Sequence, residues 1–574
     1  MAGVVPKVLR RHLRRVNSQL KAAQRRSRAT LATTLDDLKP PVETTTSVLP
    51  QPSLTSSKPK TYDELPTPRG YPLLGTLPEF LAAGGVQLYH KYISQRHREL
   101  GSVFKENLAG SEMVFVSDPA DVRQVFAAEG AFPRHFIPEA WLLYNQDRQV
   151  SRGLFFMEGE EWKENRRVLN RRLLRPSSVT PHHPGFSQVA DALVDRWTSQ
   201  FSGLAVPNLE RELYRWAIES LGVMVFGSRL GFLQQEPGSP DGAPNRSSSS
   251  RQEEMEKFIE AIHGIFKETC AMGTFPPTLA RALHLPVWNR FADAVDRALV
   301  AGQQLVQEGL RESRRRQELG EEPVTLLDHL LLEDNLDHNR IIRLLTDLFL
   351  AAADTTSHTA IWSLYLLGCY PQEAQRAREE IMAAVGGSGN VQGEHLASLP
   401  YLKSVVKEAL RLYPVAPFQT RVLDRDTQLS GHQVPAGTMV VLSLYTTGRD
   451  PTHFSNPHHF CPERWLRDVP EATTEPSHTC SYSNTSMSAP DTFPSSTNST
   501  SRLHSHAFIP FGVGARSCIG RRVAETQLHL LLAKLIHSSD LRAVNQVDMV
   551  MRMVGVTSEP LQLRVDPLNE GHTK

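Results

Sequence analysis

The chain has 574 residues, of which 40% are hydrophobic and 22% charged. This is ordinary for a globular protein and sufficient for a large core. The net charge of +1 conceals nine basic and no acidic residues within 1–35, whereas the remainder carries 54 basic against 62 acidic side chains. This balance argues against a nucleic-acid-binding protein. The five scattered cysteines argue against a disulfide scaffold and favour a reducing compartment.

The basic N-terminal segment 1–35 has the composition of a mitochondrial transit peptide. An apolar helical stripe faces a cluster of arginines there: Leu9, Leu13, Val16 and Leu20 opposite Arg10, Arg11, Arg14 and Arg15. A disordered basic tail or a helix on a membrane surface is the alternative. The most apolar later stretch, 341–370, contains Arg343, Asp347 and Asp354, which favours a buried helix over a membrane span.

Composition divides the rest of the chain. Residues 36–60 are rich in Pro, Ser and Thr and are predicted to be a linker that leads into a folded body over 61–574. Within that body, 236–254 is a low-complexity insertion predicted to be a mobile loop. A second insertion, 468–504, is predicted to be disordered, because 16 of the 29 residues in 473–501 are Ser or Thr. Helical patterns otherwise dominate to about residue 420, and strand-like runs occur at 114–117 and 438–444.

The segment FGVGARSCIG, 511–520, carries the strongest chemical signal. Its glycines allow the backbone to approach a flat ligand closely. Cys518 precedes a helical pattern, and the positive end of a helix dipole favours a thiolate. A lone cysteine is more often a small buried apolar residue, but the surrounding glycines and Arg516 make that interpretation weaker here.

This segment resembles the haem-binding loop of the cytochrome P450 family, Phe-Gly-x-Gly-x-Arg-x-Cys-x-Gly, at every defined position. The resemblance implies that the cofactor is haem b and that the thiolate of Cys518 is the axial ligand of its iron. It also implies that Phe511, Arg516 and Gly520 help to bind the cofactor, with Arg516 at a propionate. The implied fold is mainly α with small β-sheets, in one large haem-binding domain.

Two further matches to the family occur in the same order along the chain as in its members, and they imply a buried ion-pair network. Glu408 and Arg411 lie three residues apart and share one helix face. Arg464, in PERW, stands where the family completes a Glu-Arg-Arg network. Such a helix pair alone is usually a surface ion pair of small effect.

Two other matches imply contacts to the haem propionates. Trp162 and Arg166 form a Trp-x-x-x-Arg pattern, and Arg421 stands where the family often places another contact. Taken alone, the first pair could be a core aromatic side chain and a solvated arginine. Five matches in order over roughly 500 residues make coincidence improbable.

The segment LAAADTTSH, 350–358, resembles the family's oxygen-binding helix, with Ala352 in place of the usual glycine. The resemblance implies that Asp354 and Thr355 relay protons to bound dioxygen. An acid and two threonines are costly inside an apolar helix unless they are satisfied. The alternative is a Thr355 hydroxyl that only bonds to its own helix.

Four basic residues connect the chain to mitochondrial members of the family, which receive electrons from an acidic ferredoxin. Lys403 and Lys407 lie in the helical segment that carries the Glu-x-x-Arg motif, on its N-terminal side. Arg521 and Arg522 follow the cysteine loop. The resemblance implies that they dock an adrenodoxin-like ferredoxin served by its NADPH reductase. It also implies a location on the matrix side of the inner mitochondrial membrane, with peripheral association. Ordinary solvated surface charge is the alternative.

The stretch 135–162 resembles arthropod ecdysteroid-synthesis members, especially those that hydroxylate carbon 2. The function expected from sequence is therefore hydroxylation of a steroid or sterol by dioxygen. A haem-thiolate isomerase or dehydratase without an electron donor is one alternative, and a haem-binding sensor or carrier is another. The acid-threonine pair and the basic residues near the cysteine loop favour the monooxygenase.

Overall fold

The structure, a computed structural model, describes residues 59–108, 110–233, 246–274, 276–386, 389–466 and 504–568. All of them belong to one compact unit, Pro59–Lys574. The predicted transit-like segment 1–35, the linker up to residue 58, residues 236–245 and residues 468–503 lie outside the described residues.

Helices make up most of the described chain, which confirms the predicted mainly α fold. They are α1 Leu77–Ala82, α2 Tyr89–Leu100, α3 Pro119–Ala127, α4 Glu139–Arg148, α5 Gly159–Leu173, α6 Pro176–Val179, α7 His183–Gln200, α8 Leu209–Phe226, α9 Arg246–Ala271, α10 Pro277–Ala282, α11 Pro286–Glu318, α12 Leu326–Leu331, α13 His338–Cys369, α14 Pro371–Val385, α15 Pro400–Leu412, α16 Leu444–Thr447 and α17 Arg521–Ser538. Short 3₁₀ turns span Tyr62–Glu64, Gly85–Leu88, Thr180–His182, Met272–Thr274, Gly393–Ser398 and Pro462–Trp465.

The strands form small sheets. They are β1 Val103–Leu108, β2 Ser111–Val116, β3 Phe418–Val422, β4 Thr427–Leu429, β5 His432–Val434, β6 Met439–Ser443, β7 Ser539–Ala543, β8 Met549–Arg552, β9 Val554–Thr557 and β10 Leu563–Pro567. The largest sheet has the order β1-β2-β6-β3, and the pairs β4-β5, β7-β10 and β8-β9 are separate. The predicted strand-like runs become β2 and β6, which pair in parallel with Val114 opposite Val440.

Helix α13 lies at the centre of the fold. Its sequence is apolar on nearly all sides, and it packs against α8, α11, α15 and α17. Asp337 caps its first turn by accepting a hydrogen bond from the backbone N–H of Arg340. Among the described residues, no helix is both long and apolar enough to cross a membrane.

Two predicted boundaries differ from the structure. The predicted mobile loop 236–254 overlaps α9, which begins at Arg246. Its apolar side chains Met255, Phe258 and Ile262 are buried at helical spacing, and this packing extends the helix back through the serines. The predicted linker also ends earlier, because Lys60 pairs with the strand at His432.

Candidate active site

The cysteine loop reverses the chain immediately before α17. Gly512 and Gly514 have φ angles of 67° and 76°, which lie in the left-handed region that favours glycine. The backbone N–H of Cys518 donates a 2.7 Å hydrogen bond to the carbonyl of Phe511, which closes the loop. Cys518 lies three residues before Arg521, the first residue of α17.

The side chain of Cys518 lies in a recess that is open to solvent. It is exposed to solvent, yet surrounding protein raises the pKa of its thiol by desolvation, while a hydrogen bond from the Gly520 backbone and the charges of Arg166 and Arg521 lower it. A Cβ at Gly520 would have no protein atom within 4 Å. The loop thus presents a sulfur and a short backbone segment to open space, as a flat ligand requires.

Three arginines that come from different elements converge beside this recess. Arg166 donates a 2.6 Å hydrogen bond to the carbonyl of Ser517, next to the cysteine. Arg516 lies 4.2 Å above the Trp162 ring and donates to two backbone carbonyls. Arg421 forms an ion pair with Glu129.

The cluster has more positive charge than its neighbours neutralise. The pKa of Arg516 is lowered to about 10, chiefly by desolvation and also by the charges of Arg421 and Arg166, although Glu158 and Glu129 act in the opposite direction. Among the described residues, the buried Nε of Arg166 has no hydrogen-bond partner. Two carboxylates would satisfy such a cluster, so the residues present fit the two propionates of a haem.

His135 is a member of this cluster that sequence reasoning missed as a site residue. Burial, together with the charges of Arg516 and Arg421, lowers the pKa of its imidazole to about 3. Its Nε2 is buried without a hydrogen-bond partner among the described residues. His135 begins the 135–162 stretch, but a single histidine there gave no sequence signal of a place in the arginine cluster.

The structure brings together the predicted Glu408, Arg411 and Arg464. Arg411 binds both carboxylate oxygens of Glu408, at 2.9 and 2.7 Å, and Arg464 donates to one of them at 3.0 Å. The indole of Trp465 also donates to Glu408 at 2.9 Å, a contact that sequence reasoning missed. Arg411 also donates hydrogen bonds to the backbone carbonyls of Gly448, Pro457 and His459, which links the network to the segment 448–459.

On α13, the two predicted proton-relay residues face different surroundings. Asp354 is buried and accepts a hydrogen bond from the hydroxyl of Tyr214. Thr355 is exposed, and its hydroxyl donates a 2.8 Å hydrogen bond to the carbonyl of Ala351. This is the helix bond considered as the alternative, but it leaves the hydroxyl oxygen on an accessible surface where it can still accept a proton.

The four predicted docking cations line one surface depression of about 750 Å³, together with Phe511 and Trp465. Lys407 is exposed and Lys403 is partly exposed. Glu525, which sequence reasoning did not include, pairs with Arg521 at 2.9 Å and lies 3.7 Å from Arg522. The depression is therefore basic, with one acid in it, and adjoins the cysteine loop.

Comparisons with known proteins agree with this geometry. The family described as Cytochrome P450 matches residues 65–565. Cytochrome P450 315a1, mitochondrial, of Drosophila melanogaster is 35% identical over 527 residues, which cover 89% of each chain. The mitochondrial 1,25-dihydroxyvitamin D(3) 24-hydroxylase of Rattus norvegicus is 27% identical, covering 88% of this chain and 89% of its own. The mitochondrial cholesterol side-chain cleavage enzyme of Mesocricetus auratus is also 27% identical, covering 90% and 92%.

The likeness to mitochondrial members is thereby confirmed. Members of the family bind haem with a cysteine thiolate as the axial ligand. This chain belongs to the cytochrome P450 family and is a haem monooxygenase.

Proposed function

We propose that the protein is a ferredoxin-dependent steroid hydroxylase of ecdysteroid hormone biosynthesis, on the matrix side of the inner mitochondrial membrane. The names of the relatives support a mitochondrial location and a steroid or secosteroid substrate. The resemblance of 135–162 to arthropod ecdysteroid-synthesis members supports the hormone class, and one relative comes from an arthropod, the fruit fly. The observation that carries the electron-transfer part of the proposal is the basic depression beside the cysteine loop.

Cys518 holds the haem iron in this proposal, and the arginine cluster orients the cofactor. Arg166, Arg421 and Arg516 bind the propionates, Trp162 supports Arg516, and Phe511 and Gly520 shape the loop. When bound, haem supplies the iron at which dioxygen is activated for insertion into an unactivated C–H bond. The charges of Arg166 and Arg521 lower the pKa of the Cys518 thiol, but desolvation outweighs them and the net pKa lies above its ordinary value. Coordination to a metal ion would deprotonate the thiol and hold it as the thiolate.

Thr355 and Asp354 supply protons to the reaction. The exposed Thr355 hydroxyl holds a proton at Oγ1, where it reaches the accessible side of α13. Asp354 is the buried acid next to it, and desolvation raises the pKa of its carboxyl. An acid with a raised pKa can hold a proton at neutral pH and release it to a stronger base.

Electrons arrive at the basic depression. An acidic ferredoxin would be attracted there by Lys403, Lys407, Arg521 and Arg522, chiefly through a faster association rate. Because Arg521 and Arg522 begin the helix that follows Cys518, the docked partner would lie close to the thiolate.

Aromatic side chains beside the arginine cluster favour an apolar substrate. Phe132, Phe136 and Phe155 are 38%, 52% and 53% exposed, so their rings offer apolar surface that a ligand can cover. Phe132 lies just before the 135–162 stretch, and Phe136 and Phe155 lie within it. That stretch is the one whose resemblance supports a steroid substrate. A flat apolar ligand with few polar groups suits such a surface.

Turnover reconstituted with an adrenodoxin-like ferredoxin and its NADPH reductase tests the proposal. A monooxygenase consumes NADPH only when the ferredoxin is present and forms a hydroxylated steroid. An isomerase or dehydratase would convert a peroxide substrate without NADPH, and a sensor or carrier would convert neither. Either of the last two results would overturn the proposed function.

A further inference from the structure

A chain of ionisable side chains extends from Asp354 towards the surface on the side of α8 and α9. Tyr214 and Glu210 lie one helical turn apart on α8, as do Asp354 and His358 on α13. The hydroxyl of Tyr214 donates to Oδ1 of Asp354. The Nε2 of His358 lies 3.4 Å from Oε1 of Glu210, and the Nε2 of His263 lies 3.5 Å from the same oxygen.

The exposed fraction of the side chain increases along this series of ionisable residues, from Asp354 to His263. The side chains of Asp354 and His358 are 4% and 2% exposed, whereas those of Glu210 and His263 are 33% and 39% exposed. Water therefore reaches part of the Glu210 and His263 side chains but not Asp354, although the Nε2 atom of His263 is itself buried. His358 connects the partly exposed residues Glu210 and His263 to the buried Asp354.

Geometry fixes the proton positions on His358. Its Nδ1 lies 2.8 Å from the backbone carbonyl of Asp354, and a carbonyl can only accept, so Nδ1 carries a hydrogen. The same nitrogen lies 3.7 Å from Oδ1 of Asp354. The other carboxyl oxygen, Oδ2, is buried without a hydrogen-bond partner among the described residues. Asp354 thus has both a nearby donor and unused capacity to hold a proton.

The surrounding charges favour the protonated ring. Desolvation lowers the pKa of His358, but Asp354 and Glu210 raise it more, so the net pKa lies above its ordinary value. Burial opposes ionisation of Glu210, yet its contact with His358 and the charges of His358, His263 and Arg552 lower its pKa to about 2. Tyr214 stays neutral, because burial and Asp354 raise its pKa.

We propose that the imidazolium of His358, held in place by Glu210, supplies the protons that Asp354 delivers during turnover. In the transfer, the Nδ1–H bond of His358 breaks and an O–H bond forms on the Asp354 carboxylate. The imidazole remains with its Nε2 proton, and no electrons are gained or lost. The ring regains a proton from water that enters past Glu210 and His263. His358 acts through Asp354, and Glu210 is a positioning residue for His358.

The inference rests on the proposed role of Asp354, which Asp354→Asn tests separately. If that variant keeps normal coupling of NADPH use to product, the proposed role of Asp354 is wrong. The protonation state of His358 is measured without turnover, so its failure can be told apart from failure of the proposed function.

The first experiment follows the ¹⁵N signals of labelled histidine in the reduced, CO-bound holoenzyme as pH is varied. His358→Gln identifies the His358 signal. We expect this ring to stay protonated at pH values where free histidine is neutral, and Glu210→Gln to lower its titration midpoint. A His358 ring that is neutral at pH 7, or a midpoint unchanged in Glu210→Gln, would overturn the proposal.

The second experiment measures reconstituted turnover in H₂O and D₂O. His358→Gln should lower the rate of product formation about tenfold and enlarge the solvent isotope effect, with unchanged substrate affinity. His338→Gln is the matched control, because His338 is an exposed histidine at the start of the same helix. Equal rates and isotope effects in the two variants would contradict the proposal. If His358→Gln fails to bind haem, Glu210→Gln, at a partly exposed position, must show the same changes in weaker form.

Discussion

Arg166 and Ser517 are joined by a 2.6 Å hydrogen bond across 351 positions of the chain. The bond fastens α5 to the cysteine loop one residue before Cys518. It uses one guanidinium nitrogen and leaves the buried Nε without a partner among the described residues. One arginine can therefore hold the loop and still offer a donor to a propionate.

Replacement of Cys518 tests the axial ligand. Cys518→Ser should remove the red-shifted absorption that a thiolate ligand gives the reduced CO complex, because a hydroxyl is a far weaker donor to iron. Cys270→Ser is the matched control, since Cys270 is a half-buried cysteine on α9. An unchanged spectrum in Cys518→Ser would remove this residue from the site.

Replacement of Thr355 tests the proton supply at the accessible face of α13. Thr355→Ala should retain haem and substrate binding but release much of the consumed NADPH as hydrogen peroxide, because the hydroxyl proton is lost. Thr355→Ser should retain coupling, since it keeps the hydroxyl. Peroxide and product are measured against NADPH consumed. Equal coupling in the Ala and Ser variants would place the proton path elsewhere.

Replacement of Trp465 tests the ion-pair network. Trp465→Phe removes the indole donor to the buried Glu408 and should lower the free energy of unfolding by about 1.5–3 kcal/mol. Glu408→Gln should cost more, about 3–5 kcal/mol, because the fully buried Arg411 then lacks its counter-charge. Thermal unfolding of the holoenzyme, followed by circular dichroism, ranks the two. A Trp465→Phe protein as stable as wild type would show that this hydrogen bond contributes nothing.

Charge reversal tests the ferredoxin surface. Lys403→Glu with Lys407→Glu should weaken ferredoxin binding at least tenfold at low salt and leave the CO spectrum and substrate affinity intact. The difference should shrink as salt rises, because screening at about 0.15 M ionic strength acts within about 8 Å. The control is the pair Lys257→Glu and Lys267→Glu, two exposed lysines on α9. A Lys403/Lys407 variant that binds as the control does would contradict docking at the depression.

Sequence reasoning could predict those groups of residues whose members are contiguous or share one helix. The loop around Cys518 is a single run of ten residues, and Glu408 and Arg411 are fixed by helical spacing. Long apolar periodicity likewise predicted α13 as a buried helix. The pattern in 511–520 needed no tertiary information to indicate a flat ligand.

Sequence reasoning failed where tertiary packing decides. His135, Glu210 and Tyr214 belong to no motif and reach their clusters only through the packing of separate elements. Glu525 changes the charge of the basic depression, but its sequence position does not reveal its pairing with Arg521. The serine run before α9 shows the same limit, since burial of later residues in that helix outweighs the weak helical preference of serine.

The most direct test of the central claim is mass spectrometry of the product formed under ¹⁸O₂. The reaction contains the holoenzyme, NADPH, an adrenodoxin-like ferredoxin with its reductase, and a late ecdysteroid precursor. The account predicts one ¹⁸O atom in a newly hydroxylated steroid and no product when the ferredoxin is omitted. A product that carries oxygen from water, or equal product without the ferredoxin, would contradict it.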